Sequence, residues 1–277
     1  MKVSSDAVLP GGTSARPRRN WSRRFGQVMA VVAAIALTLR VFVFAPFNIP
    51  SESMMPTLLP GDYVVVWKWP YGYSRHSLPG SPDVGGGRLF ARDPVRGDVA
   101  VFRSGAMLDT DYIKRVIGLP GDRIAMRSGR LFVNGIAVPR RAVADLVVPK
   151  EPDRGCFGRL PVGGSDDDPL SCRYPRYREA LPGGRMHDLI DLGETPQDTV
   201  AELVVPPGKL FVLGDNRDRS ADSRFEVGKD AGVGLVDRDT LVGRAAFIVF
   251  SSDSTASWSN PAGWRTAVRW QRIGQAL

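Results

Sequence analysis

The chain has 277 residues, which is long enough for one large domain or for one domain that carries an insert. Its 37 lysines and arginines outnumber its 29 acidic residues and give it a formal net charge of +8. Much of this excess lies in one place, because five arginines precede the first apolar run: Arg16, Arg18, Arg19, Arg23 and Arg24. No zinc-finger, basic-helix or RNA-binding pattern accompanies them, so the charge does not predict a nucleic-acid partner.

The apolar run that follows predicts a membrane-spanning helix. Such a helix needs about 20 apolar residues, and residues 25–46 supply that length with Arg40 as the one charged side chain. Arg40 lies near the far end, where a long side chain reaches the interface. The basic flank, residues 1–24, marks the cytoplasmic side and places the rest of the chain outside the cytoplasm. A cleaved leader ending at Ala45 is the alternative, but Pro46 directly after the cut disfavours it, and we expect a retained anchor.

A pair of serines follows the apolar run. The stretch Ile49-Pro50-Ser51-Glu52-Ser53-Met54-Met55-Pro56 holds them between two prolines. This pattern is typical of a rigid loop that presents a hydroxyl group. A serine nucleophile at a membrane surface is the functional interpretation, and an ordinary serine–proline turn is the alternative. Residues further along the chain decide between the two.

Beyond this loop the sequence predicts a mainly β fold. Segments rich in β-branched and aromatic residues, bounded by Gly, Pro or Asp, recur at 63–68, 98–102, 112–117, 124–126, 131–133, 136–138, 209–213 and 242–250. Ser128-Gly129 and Asn134-Gly135 are strong hairpin signals between three of them. Since helical periodicity is nearly absent, we expect an antiparallel β-sheet core formed by residues 47–138 and 206–252.

Residues 139–205 differ in composition and are interpreted as an inserted second domain. Glycines, prolines and acidic residues cluster there, and the strand pattern is weak. The segment carries the only two cysteines of the chain, Cys156 and Cys172, 16 positions apart. Outside the cytoplasm a disulfide is the expected use, and closing such a loop contributes about 3 kcal/mol in the chain-entropy model. Two buried thiols are the alternative.

Histidine and metal chemistry are poorly supported by the sequence. A Ser-His-Asp triad needs a histidine base, but His76 lies in a proline-rich loop and His187 in the insert, where each is expected to be a surface or structural residue. Two cysteines and two histidines show no zinc-ligand spacing. The acidic stretch 215–222 lacks the glycine and the distal glutamate of a calcium loop. We therefore expect no metal and no cofactor.

Lys114 is the candidate base. It lies in Asp111-Tyr112-Ile113-Lys114-Arg115-Val116-Ile117-Gly118, where strand alternation places its side chain on the same face as Tyr112 and Val116. Burial among such neighbours lowers the pKa of an amine, and a lysine must fall from about 10.4 to about 7–8 to act as a general base. An exposed strand lysine is the alternative.

A third motif, Gly214-Asp215-Asn216-Arg217-Asp218-Arg219-Ser220-Ala221-Asp222-Ser223-Arg224, completes a set that resembles the bacterial type I signal (leader) peptidases. The three stretches match the serine box, lysine box and GDNRxxSxDSR box of that family, in that order. The resemblance runs from the anchor to the strand ending near Phe250. Glycine is common in the family where this chain has Glu52, at a tolerant position.

The resemblance implies a role for each matched residue. Ser53 would be the nucleophile and Lys114 the general base of a Ser-Lys dyad that works through an acyl-enzyme. The Ser51 hydroxyl and the backbone N–H of Ser53 would form the oxyanion hole. Ser220 would orient the lysine amine. Asp222 and Arg224 would form an ion pair that supports the dyad. Asp215 and Asn216 would shape the nearby turn.

The resemblance also implies the substrate. The substrate pockets in the family are shallow and apolar, and they suit alanine at the two substrate positions that define the A-x-A rule. Five residues of this chain match positions that line them: Phe47, Ile49, Leu58, Tyr112 and Ile113. The peptide would bind in an extended conformation along strand edges. The expected partners are therefore the signal peptides of exported preproteins and the lipid bilayer.

The function expected is that of a single-pass serine endopeptidase that removes signal peptides on the outer face of the bacterial cytoplasmic membrane. A self-cleaving repressor-type protease would need a DNA-binding module, and none is visible. A catalytically inactive envelope protein that binds extended peptides is the other alternative. The tail, residues 253–277, carries arginines among apolar residues and is expected either as an amphipathic helix on lipid headgroups or packed on the core.

Overall fold

The computed structural model describes residues 21–78, 87–104, 110–150, 155–157, 171–228, 232–253 and 263–277. The chain divides into two compact units, residues 1–38 and 39–277. The first unit contains the helix α1 (Trp21–Thr38). By length and composition, the 23 residues Trp21–Val43 qualify as a candidate membrane span, which confirms the predicted apolar helix.

The second unit is mainly antiparallel β-sheet, as predicted. Its strands are β1 (Phe44–Asn48), β2 (Asp62–Trp67), β3 (Val99–Arg103), β4 (Asp111–Gly118), β5 (Arg123–Arg127), β6 (Arg130–Val133), β7 (Ile136–Ala137), β8 (Arg140–Pro149), β9 (Ser171–Ala180), β10 (Met186–Ile190), β11 (Val200–Val204), β12 (Lys209–Leu213), β13 (Val236–Asp237) and β14 (Leu241–Ser251). The largest sheet has the order β1-β2-β14-β3-β4-β12-β13. The serine stretch is the connection from β1 to β2, and Lys114 lies in the middle of β4.

The first strand begins inside the segment that the sequence assigned to the membrane helix. After a π-helical turn, Leu39–Val43, the chain becomes extended at Phe44 and pairs with Trp67 of β2. Pro46 lies in this strand, and it lacks the N–H that a continuing helix would need. The helical segment therefore ends before residue 46.

Two smaller sheets complete the unit, with the orders β10-β9-β8 and β11-β5-β6-β7. The predicted hairpin turns are present, since Ser128, Gly129, Asn134 and Gly135 all have positive φ. Strand β11 belongs by sequence to the segment 139–205, yet it pairs with β5 through contacts such as Val204 with Arg123. The insert thus contributes an edge strand to a sheet of the core.

The insert packs against the serine stretch. Its cysteines form the Cys156–Cys172 disulfide, with the two Cα atoms 5.5 Å apart. Cys172 and Tyr174 lie in one buried apolar cluster with Met55 and Leu59 of the β1–β2 connection. Burial of apolar side chains is the main favourable contribution to folding, so the insert stabilises the loop that carries the serines.

The described part of the tail, residues 263–277, packs on the core. Its one α-helix, α2 (Trp264–Ala267), has only four residues, so the amphipathic helix expected here is wrong for these residues. The reason is that two arginines turn inward: Arg269 donates to the carbonyl of Pro60 at 2.9 Å, and Arg272 donates to Asp62 at 2.6 Å. The alternative, a tail packed on the core, describes this segment.

Candidate active site

The structure brings the predicted serine and lysine together. Lys114 Nζ lies 2.7 Å from Ser53 Oγ. Both residues are buried, with Ser53 6% and Lys114 4% exposed. A base within about 2.6–3.2 Å of a hydroxyl can take its proton directly.

The electrostatic surroundings of Lys114 suit a base. The pKa of its amine is lowered from 10.5 to about 8, chiefly by burial; Asp222 and Asp215 oppose this shift, and Arg224 contributes a smaller lowering. The removal of water disfavours the charged form of the amine. The attraction of the two carboxylates is too weak to reverse this lowering of the pKa. A neutral amine is therefore available at mildly alkaline pH.

Two hydrogen-bond donors surround the serine hydroxyl. Ser51 Oγ lies 3.3 Å from Ser53 Oγ, and the Ser51 side chain is exposed toward solvent. Within the described residues, the backbone N–H of Ser53 donates to no acceptor. Both groups are thus able to donate to an oxygen that develops charge beside Ser53 Oγ.

The box at 214–224 holds the serine stretch through backbone contacts. The N–H of Asn216 donates to the carbonyl of Ser53 at 3.1 Å, and its side-chain amide donates to the carbonyl of Glu52 at 3.2 Å. Gly214 lies so close that a Cβ there would be 2.5 Å from the Ser53 carbonyl oxygen and 2.3 Å from Ser220 Cβ. Only glycine allows this approach.

Ser220 lies beside Gly214 but does not make the expected hydrogen bond. Its hydroxyl is buried and has no partner among the described residues, and the amine of Lys114 donates to Ser53 instead. The structure therefore brings Ser220 to the site without linking it to the lysine.

The expected ion pair of the box is present. Arg224 Nε lies 2.9 Å from Asp222 Oδ1, and both side chains are fully buried. The other carboxylate oxygen of Asp222 accepts the N–H of Gly214 at 2.9 Å. The pair thereby fixes the turn that approaches Ser53.

Sequence reasoning missed the partners of Asp215. Arg115 contacts both of its oxygens, at 2.7 and 2.6 Å, and the Thr57 hydroxyl also donates to it. Burial opposes ionisation, but these contacts lower the pKa of Asp215. Because Arg115 follows Lys114 and Thr57 follows the serines, this pair ties the lysine strand to the serine stretch. The available signal was Arg115 itself, because an arginine on a core strand needs a carboxylate partner when it is buried.

His187 is buried, and it takes no part in the serine–lysine contact. Its Nε2 lies 3.7 Å from Glu179 and 3.9 Å from Asp215. Burial, assisted by Arg115, lowers its pKa to about 3, so the ring is neutral. Glu179 forms a buried ion pair with Arg217 at 2.6 Å. The structural role expected for His187 agrees with this placement.

Four of the five expected substrate-contacting residues come together. Ile49 and Leu58 are almost fully buried in one apolar cluster, and Phe47 and Ile113 pack against it. Tyr112 lies on the other face of β4, stacked on Phe102 with ring centroids 6.1 Å apart. The first four form an apolar floor next to the serine stretch.

A cleft of about 520 Å³ opens at Ser51, and it was not predicted from the sequence. It is lined by Pro50, Ser51, Glu52, Asp218, Arg219, Ser220, Ala221 and Phe225. Within the described residues, no three His, Cys, Asp or Glu side chains group as metal ligands would.

Comparisons with known proteins place the chain in a class of serine peptidases. The family model described as "Signal peptidase, peptidase S26" matches residues 22–250. The chain therefore belongs to the signal peptidase family, peptidase S26.

Two relatives at 34% identity support this assignment. The protein called "Signal peptidase I" in Rickettsia prowazekii (strain Madrid E) is 34% identical over 274 residues, covering 92% of this chain and 93% of its own. That of Rickettsia typhi (strain ATCC VR-144 / Wilmington) is 34% identical over 265 residues, covering 89% and 90%. A solved signal peptidase I from Enterococcus faecalis V583 is 24% identical, covers 55% of this chain and 97% of its own, and has a TM-score of 0.27.

Proposed function

We propose that this chain is a membrane-bound serine endopeptidase that removes N-terminal signal peptides from exported preproteins, with Ser53 as nucleophile and Lys114 as general base. The observation that carries the proposal is the 2.7 Å contact between Lys114 Nζ and Ser53 Oγ. The low pKa of the buried amine supports it, since a lysine with its ordinary pKa would be charged and unable to accept a proton at neutral pH.

In the first half of the reaction, the neutral amine of Lys114 takes the proton of Ser53 as Oγ attacks the carbonyl carbon of the scissile bond. The oxyanion that forms accepts hydrogen bonds from the Ser51 hydroxyl and the Ser53 N–H, and one such donor is worth about 3–4 kcal/mol in the transition state. The Lys114 ammonium then gives its proton to the leaving nitrogen. The C–N bond breaks, and the signal peptide remains on Ser53 as an ester.

In the second half, water replaces the leaving amine. Lys114 takes a proton from the water as its oxygen attacks the ester carbonyl, and the same two donors hold the oxyanion. Ser53 Oγ leaves with the proton returned by Lys114, which frees the signal peptide as a carboxylic acid. Besides water, the cycle uses three side chains, those of Ser51, Ser53 and Lys114, and the backbone N–H of Ser53.

The preference for small residues before the scissile bond follows from the apolar floor. Ile49 and Leu58 are 2% and 0% exposed, so they leave little surface for a substrate side chain. Phe47 and Ile113 pack against the same apolar cluster. A methyl side chain fits such a surface, whereas a larger side chain would have to displace core residues. Cleavage after A-x-A sequences is the expected outcome.

Location follows from the apolar helix. The basic flank before Trp21 marks the cytoplasmic end of a single span, so the second unit would lie on the extracytoplasmic face of the bacterial inner membrane. Exported preproteins emerge on that face.

The test uses the full chain in detergent micelles with a preprotein substrate. Wild type is expected to release a fragment with the mass of the signal peptide, whereas Ser53→Ala and Lys114→Met are expected to release none. Lys150→Met, at an exposed lysine, is the matched control and should cleave as wild type does. Binding of preprotein without cleavage by wild type would contradict the proposal and identify a peptide-binding envelope protein.

A further inference from the structure

Glu52 and Arg219 face each other across the cleft that begins at Ser51. Both Nε and Nη2 of Arg219 lie 3.4 Å from Glu52 Oε2. The side chains are partly exposed, Arg219 by 53% and Glu52 by 20%, and both line the cleft. A ligand that enters the cleft therefore meets both charges.

The remaining lining of the cleft contributes little accessible charge. Asp218 points one carboxylate oxygen at the N–H of Leu192, 2.6 Å away, and its other oxygen is buried. Ser51, Ser220, Ala221 and Phe225 are uncharged. The electrostatic character of this cleft therefore depends on Glu52 and Arg219.

Both members of the pair are held in place. The guanidinium of Arg219 lies 5.7 Å from the centre of the Phe157 ring, which stacks on Tyr174 at 4.0 Å. Phe157 follows Cys156 of the disulfide. On the other side, the carbonyl of Glu52 accepts hydrogen bonds from the N–H of Met55 and from the amide of Asn216. The Arg219 side chain thus contacts the insert through Phe157, and hydrogen bonds hold the backbone of Glu52.

The cleft begins at Ser51 and is distinct from the apolar floor. None of the four residues of that floor, Phe47, Ile49, Leu58 and Ile113, lines the cleft. If the residues before the scissile bond occupy the floor, the extended chain continues past Ser53 into the cleft. The cleft would then receive the first residues of the mature protein.

We propose that the Glu52–Arg219 pair sets the charge selectivity of the enzyme for the segment that follows the scissile bond. This inference rests on the proposed function. Each charge screens the other: without Glu52 the cleft would present an unpaired cation and favour acidic residues, and without Arg219 it would present an unpaired anion beside Ser51 and disfavour them.

The experiment uses the full chain in micelles and three peptides with one signal-peptide cleavage site. They differ only in carrying Asp, Asn or Lys at the second position after the scissile bond. The quantity measured is the ratio of kcat/KM for the Asp peptide to that for the Lys peptide. Glu52→Gln is expected to raise this ratio about two- to fivefold and Arg219→Gln to lower it by a similar factor, as for exposed charge pairs. Both shifts should shrink at high salt.

The matched control is another exposed arginine–glutamate pair, Arg123 with Glu202, which joins β5 and β11 away from the cleft. Glu202→Gln and Arg123→Gln should leave the ratio unchanged. Exchange of the two charges, Glu52→Arg with Arg219→Glu, should return the ratio toward the wild-type value.

Two results would overturn the inference: a ratio unaltered in both single variants, or a shift of the same sign in both. Cleavage of the uncharged Asn peptide by wild type tests the proposed function by itself, independently of the ratio for the charged peptides. If wild type cleaves none of the peptides, the proposed function fails. The charge inference is then judged from binding to Ser53→Ala, in which Glu52→Gln should raise and Arg219→Gln should lower the affinity for the Asp peptide relative to the Lys peptide.

Discussion

The N–H of Asn216 donates a hydrogen bond to the carbonyl of Ser53 at 3.1 Å, so the loop after β12 binds the backbone of the candidate nucleophile itself. The lysine strand reaches the same residue from the other side, through the contact of Lys114 with the Ser53 hydroxyl. Ser53 is thus fixed at both its peptide group and its side chain.

The first prediction concerns the pH dependence of cleavage. Because the pKa of Lys114 is lowered to about 8, the fraction of neutral amine rises from about one tenth at pH 7 to about nine tenths at pH 9. The value of kcat/KM for a preprotein should rise with pH and reach half of its plateau near pH 8. A profile that is flat from pH 6 to 10 would argue against Lys114 as the base.

The second prediction concerns stability. A lysine whose folded pKa lies near 8 and whose unfolded pKa lies near 10.5 binds fewer protons when folded, so its contribution to the free energy of unfolding rises with pH between these values. The free energy of unfolding of wild type relative to Lys114→Met should therefore increase by roughly 2 kcal/mol between pH 7.5 and pH 9.5. Denaturant titrations of both proteins at the two pH values measure it. A constant difference would show that the lysine is not desolvated.

The third prediction concerns Gly214. Its substitution by alanine places a Cβ 2.5 Å from the carbonyl oxygen of Ser53, a backbone atom that cannot move without shifting the nucleophile. We expect Gly214→Ala to lower kcat by at least about tenfold, since a misplacement near 1 Å costs up to 100-fold. Gly155→Ala is the control, because a Cβ there meets nothing within 4 Å. Equal kcat values for the two variants would contradict the close approach.

The fourth prediction concerns the tail. Arg272 binds both oxygens of Asp62 and the carbonyl of Thr57, and Asp62 is fully buried. Arg272→Met should lower the free energy of unfolding by about 3 kcal/mol, because it leaves the buried carboxylate with only Arg269, 3.8 Å away, as a cation. Arg265→Met, at an exposed arginine of α2, should change it by less than about 0.5 kcal/mol. Similar denaturant midpoints for both variants would mean that the tail is not structural.

The fifth prediction concerns the disulfide. Reduction of Cys156–Cys172 should lower the free energy of unfolding by about 3 kcal/mol, as expected from the 16-residue separation. It should also shift the charge selectivity toward that of Arg219→Gln, because Phe157 would then be held beside Arg219 by Tyr174 alone. Denaturant titration and the peptide ratio, each with and without reductant, provide the two measurements. An unchanged midpoint in reductant would refute the first expectation.

Much of the fold could be predicted because the core strands follow simple patterns. The strand at 209–213 is found with the predicted bounds, and the hairpin turns at 128–129 and 134–135 are formed by the predicted residues. The ten-residue strands β8 and β9 were not predicted. Strand β9 contains four charged residues and Pro175, and both features weaken the sequence pattern of a strand.

The parts of the candidate site that lie in sequence motifs could be predicted, whereas contacts between residues far apart in the sequence could not. Ser53 and Lys114 stand in recognisable stretches, and the structure places them in contact. The pairing of Arg115 with Asp215, 100 positions away, depends on the register of β4 and β12, which the sequence does not specify. The pairing of Glu52 with Arg219 depends on the same long-range packing. The roles of all these residues remain predictions.

The packing of Met55 and Leu59 against Tyr174 and Cys172 limits how this protein can be re-engineered. A chimaera that takes residues 139–205 from another family member would have to supply a matching apolar surface for those two side chains. Without one, two hydrophobic side chains of the segment that carries Ser53 would meet water, and the exchange of a region remote in sequence would disturb the candidate active site.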